Sequence, residues 1–152
     1  MDKYELLKTI HVLAAVIWVG GGVFGQLLAY RIRKTNDTGR LAALGKDSEW
    51  IGTHVFLPAS LLLLGMGIWM TIDAWAFEDT WIIIGIAGML FSVFTGMLFL
   101  GPESKRLAVL LEDPTTQESV IAQRIDRLLL ASRIELAVLL LVVVDMVIKP
   151  GA

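Results

Sequence analysis

No charged residue occurs between Val55 and Ile72, and none between Trp81 and Pro102. Each stretch falls within the ~17–25 residues that carry a helix across a bilayer, where the backbone must satisfy its own hydrogen bonds. Two more stretches join them. One runs from about Ile10 to Ala29, broken only by His11 and Gln26. The other, Leu128 to Ile148, is apolar apart from Ser132, Arg133, Glu135 and Asp145. The chain is 56% hydrophobic and only 18% charged, far from the ~25% charge of soluble domains. A soluble globular enzyme is excluded. A net charge of −2 leaves no footprint for nucleic acid. The absence of cysteine excludes disulfides, thiolate metal sites, iron–sulfur clusters and cysteine nucleophiles.

These stretches predict an all-α fold: an antiparallel four-helix transmembrane bundle with helical cytoplasmic extensions. Residues 1–152 form one integral membrane domain, with spans at about 8–30, 53–75, 80–102 and 128–148. The mixed charges of Met1 to Glu5, and the lack of a small-x-small site, do not read as a cleavable signal. Lys and Arg set the orientation. Arg31, Arg33, Lys34, Arg40 and Lys46 lie between spans one and two, and Lys105, Arg106, Arg124 and Arg127 between three and four. Lys3, Lys8 and Lys149 oppose them. The asymmetry predicts a multi-pass protein of the cell membrane with both termini extracytoplasmic. Trp75 and Trp81 flank the outer turn, and Tyr30 and Trp50 mark the inner interface.

Ser104 to Glu112 continues span three as an amphipathic stretch, and Asp113-Pro114 reads as a helix cap before the run into span four. Gly21-x-x-x-Gly25, with Gly20 and Gly22, and the Gly88, Ser92, Gly96 stripe predict close helix packing. The same glycine faces offer a homo-oligomer contact or room for a flat cofactor. The lipid bilayer is the one partner the composition demands, and nucleic acid is excluded.

Ionisable groups in lipid are expensive and are default functional candidates. His11 lies at the outer end of span one and His54 at the inner end of span two. Antiparallel spans place them on the order of 25 Å apart, so they cannot share one haem or metal ion. At His11's level stand Met70 and Asp73 on span two, and Asp145 and Met146 on span four. Imidazole and thioether suit haem or copper. Asp145 could fix the His11 tautomer, or instead pair with Lys149 four residues on. The inner polar group comprises His54, Gln26, Arg133 and Glu135, with His54, Arg31 or Gln26 as partners for Glu135.

The segment from Leu7 to Gly21, centred on His11 and Trp18-Val19-Gly20-Gly21, resembles the first span of CopD-like copper-resistance domains and HemJ-type protoporphyrinogen oxidases. Arg133-x-Glu135, with the apolar run to Lys149-Pro150, resembles their last span. In size and four-span layout the chain resembles the bacterial family called domain of unknown function 2269. The HemJ resemblance implies a b-type haem around His11. It departs where Trp81 to Ile86 holds no lysine, and where Asn-Glu-x-Pro is reduced to Ile134-Glu135-Leu136-Ala137.

Three function classes follow. One is a haem-b or copper-binding redox protein using His11. Another is a structural or assembly subunit without catalysis. The third is a small-solute transporter using Glu135 and Asp145.

Overall fold

The computed structural model describes residues 2–35, 37–113 and 115–151, without the side chains of 38 and 42. The described residues form four helical rods. The first is α1 (Lys3–Lys34). Asp2 caps it by accepting the Glu5 N–H at 2.8 Å, while the Glu5 carboxylate accepts the Asp2 N–H at 3.2 Å. Arg31, Arg33 and Lys34 fill its last turn, where the helix dipole favours cations.

The second rod joins α2 (Thr38–Ile51) to α3 (Leu57–Ala74), and the third joins α4 (Thr80–Thr95) to α5 (Gly101–Glu112). Each joint is one wide π turn, Gly52–Phe56 in the second rod and Gly96–Leu100 in the third. The cause is the same in both. Pro58 and Pro102 sit just beyond the turn, bring no N–H, and crowd the carbonyl four residues back. The ladder therefore widens, so that the Leu57 N–H donates to Gly52 O and the Gly101 N–H to Gly96 O. The fourth rod is α6 (Glu118–Ile148). Lys149 closes it in the left-handed region, at φ 50°.

α1 lies mainly along α3, α6 mainly along α4, and α1 also meets α6. Neighbouring rods are antiparallel. Lys3 pairs with Asp73 at 2.9 Å at one end of the α1–α3 seam, while Phe56 packs at Gly21 further down it.

The apolar interior has two parts. In the membrane half, Trp18, Met89 and Leu139 meet, with Phe56, Leu63 and Val93 around them. In the extension, α1, α2, α5 and α6 each contribute one buried side chain: Ile32, Leu41, Leu107 and Ile125. The amphipathic continuation of span three is therefore a packed element. Beside this extension core, Glu103 is buried and accepts from Arg124 at 2.5 Å, with Arg106 at 3.8 Å.

The second connection differs from the sequence reading. Asp113 does not cap α6, which starts five residues later behind Gln117. Its carboxylate instead accepts the Thr115 N–H at 2.8 Å and the Thr115 hydroxyl at 2.7 Å, closing a local Asx turn. Pro114 lies outside the described residues.

Candidate functional site

His11 is carried on the face of α1 that meets α3. Its Nδ1 lies 2.9 Å from the backbone oxygen of Leu63. A carbonyl oxygen only accepts, so Nδ1 carries the hydrogen, and in the neutral ring Nε2 holds the lone pair. The ring lies against Gly67, where an added Cβ would stand 3.2 Å from His11 Cε1. Glycine at this position lets the imidazole approach the α3 backbone. Leu63 and Gly67 fall in the middle of α3, so His11 sits deeper in the bundle than the C-terminal end of that helix, where the sequence reading places it.

The sequence-derived partners of His11 divide between two seams. Met70 follows Gly67 by one turn and shares its side of α3. Met146 does not face His11, because its methyl group fills the notch at Gly85, on the α4–α6 seam. Asp145 does not fix the His11 tautomer; the Leu63 carbonyl does that. Nor does Asp145 pair with Lys149. The Lys149 ammonium instead lies over the rings of Trp75 and Trp81, at 4.1 Å and 4.9 Å, a placement favoured where a cation meets an aromatic belt. The left-handed turn at Lys149 swings its side chain away from the acid it follows by four residues. Asp145 is buried, and its Oδ2 has no hydrogen-bond partner among the described residues; the same is true of Trp81 Nε1.

The inner group is likewise rearranged. His54 is exposed on the π turn, stacked on Trp50 at 4.7 Å and bonded to the Trp50 carbonyl at 3.0 Å. Nine residues of helical rise separate it from Leu63, or about 14 Å, less than the full bilayer but too far to share a ligand with His11. Arg133 also points outward. What closes inside are two polar pairs on one side of α6. Gln26 of α1 donates to Ser132, and Ser92 of α4 donates to Glu135. Glu135 therefore takes Ser92 as its partner, not His54, Arg31 or Gln26. Ser132 and Glu135, three residues apart, bridge α6 to two helices at once.

The glycine faces are packed at several points. Phe56 reaches Gly21 and Leu136 reaches Gly22, so side chains of the bundle cover these two glycines. Val142 packs at Gly88. Gly20, Gly25, Gly65 and Gly96 have open space where a side chain would stand.

Sequence reasoning did not single out Leu63 or Gly67, and read Trp81 only as an interfacial aromatic. It read Ser92 as a small residue and Ser132 as a polar break, not as hydrogen-bonding partners. A serine within an uncharged span, facing a carboxylate-bearing span, is the signal that could have found the Ser92–Glu135 pair.

Helices α1, the α2–α3 rod and the α4–α5 rod are long and apolar enough to cross a membrane. α6 has the length, but carries Arg133, Glu135 and Asp145 in its apolar part. Outward-facing side chains are largely apolar, Val147 being 78% exposed, as lipid rather than water would require. An all-helical bundle with this surface, and with polar pairs turned inward, has the make-up of a polytopic integral membrane protein. The chain belongs to the family described as "Predicted integral membrane protein (DUF2269)", which it matches over residues 5–150. No curated protein and no solved structure matches it.

Proposed function

We propose that the chain is a small membrane-embedded redox protein that holds haem b or copper through Nε2 of His11. One observation supports this above the others: the Nδ1–H donation to Leu63 at 2.9 Å. Metal-binding histidines characteristically spend their second nitrogen on a carbonyl or carboxylate, which fixes the ring and keeps the ligating lone pair free. The resemblance of the Leu7 to Gly21 segment to CopD-like and HemJ-type proteins points the same way.

The donor set would suit a haem held by a single imidazole better than a chelated copper ion. Among the described residues, no three of His, Asp and Glu stand close enough together to hold a metal. Met70, one turn from Gly67 on α3, is a soft donor within the same register, and Asp145 and Met146 lie outside the ligand set. When bound, the haem would supply electron transfer; the protein's part is to hold and orient the imidazole and to keep water from it. The test is direct. Full-length protein expressed with added haem precursor and purified in mild detergent should show a Soret band. A spectrum without it, in protein that also retains no copper, would reject the proposal.

A second reading, a structural or assembly subunit, draws on a different observation. The Gln26–Ser132 and Ser92–Glu135 pairs use the buried polar groups to hold helices together. Glu135 serves this reading better than it serves transport, because its hydrogen bond is committed within the bundle.

The proposal includes an orientation with both termini outside and the extension of α2 and α5 in the cytoplasm. The Lys and Arg asymmetry supports it. The chain has no cysteine, so Thr116→Cys gives a single reporter. An impermeant thiol reagent should label it in inverted vesicles and not in intact cells; labelling in intact cells would reverse the orientation.

A further inference from the structure

Between α1 and α6 runs an open groove of about 400 Å³, lined by Gln26, Leu27, Tyr30, Arg133, Leu136, Ala137 and Leu140. Its chemistry is ordered along the membrane normal. Tyr30 lies at the inner end and Arg133 near it, both exposed. From Arg133, the apolar wall of Leu136, Ala137 and Leu140 climbs about 10 Å toward the membrane centre. Leu27, 63% exposed, faces it from α1.

The inner end is cationic. Lys34 lies over the Tyr30 ring at 4.7 Å, and Arg31 precedes it in the same last turn of α1. Arg33 is matched by Asp126 at 3.2 Å, whereas Arg133 has no carboxylate partner among the described residues. A guanidinium at the edge of an apolar stretch, with no protein anion to meet it, is costly unless another anion does so.

We propose that this groove binds an anionic phospholipid of the leaflet in which α1 ends. The phosphate is held by the Arg133 guanidinium and the Tyr30 hydroxyl, and an acyl chain lies along Leu27, Leu136, Ala137 and Leu140. A lipid has the same sequence of charge and apolarity as the groove, read in the same direction. Basic pockets between spans on the cytoplasmic side recognise anionic headgroups on this principle.

The test uses full-length protein in phosphatidylcholine vesicles carrying trace spin-labelled lipid. Labelled phosphatidylglycerol should be motionally restricted by the protein with an affinity on the order of fivefold above labelled phosphatidylcholine. Arg133→Gln should reduce that preference to near unity, Arg133→Lys should retain most of it, and Lys105→Gln, outside the groove, should leave it unchanged. Equal restriction of both lipids by the unmodified protein would overturn the proposal without any variant. So would a preference that survives Arg133→Gln, or one that Lys105→Gln removes equally.

Discussion

Ser92→Leu should destabilise the bundle by about 2–6 kcal/mol, the sum of overpacking a filled site and stranding a buried carboxyl group. Ser92 is 1% exposed, the most enclosed side chain among the described residues, and its hydroxyl donates to Glu135. Leucine would force α4 away from α6 just where Gly88 already meets Val142. Ser92→Ala, which keeps the close approach and loses only the hydrogen bond, should cost about 1 kcal/mol. Gly96→Leu is the instructive comparison. It belongs to the same four-residue stripe, but has open space where its Cβ would go. Helicity followed through thermal unfolding in mild detergent should separate them, with Ser92→Leu far below the parent and Gly96→Leu close to it. Equal losses at both sites would mean that the α4 face is turned differently from the arrangement described above.

Gly67→Val should remove cofactor retention while leaving His11 in the sequence. A Cβ at residue 67 would stand 3.2 Å from His11 Cε1 and 3.5 Å from Nδ1. The branched methyl groups of valine reach further and push the ring off the Leu63 carbonyl. Losing such an orienting bond typically weakens metal binding by about 10–100-fold. Gly65→Val, two residues away with nothing within 4 Å, should bind as the parent does. Titration of haem into apoprotein, read by absorbance, measures both. Unchanged binding by Gly67→Val would show that the α3 contact does not govern the site.

The order of residues along each rod was legible in the sequence, although His11 meets the middle of α3 and not its end; rotation about each helix axis was not legible. The uncharged runs announce four rods and the turn between Trp75 and Trp81, and the amphipathic stretch after Pro102 announces the packed extension. They say at what level Glu135 or Met146 stands. Which way each faces depends on how the helices are turned, and hydropathy gives little guidance when apolar side chains cover both the interior and the lipid surface. Met146 therefore joins Gly85, not His11, and Gly21 receives Phe56. The π turns were readable in principle, since Gly52 and Gly96 each precede a proline, Pro58 or Pro102, by the same six residues. The Lys149 contact with two tryptophans depends on a left-handed terminal turn that the sequence does not announce.

The central claim is that His11, and not His54, is the ligand-bearing histidine. The two differ in setting: His11 is packed between α1 and α3 with its tautomer fixed by Leu63, while His54 is exposed and stacked on Trp50. The decisive measurement compares haem absorbance and copper content of the parent, His11→Ala and His54→Ala proteins, expressed and purified side by side in mild detergent. The account predicts that His11→Ala loses the bound group and that His54→Ala retains it nearly in full. Loss in His54→Ala with retention in His11→Ala, or equal loss in both, would contradict it.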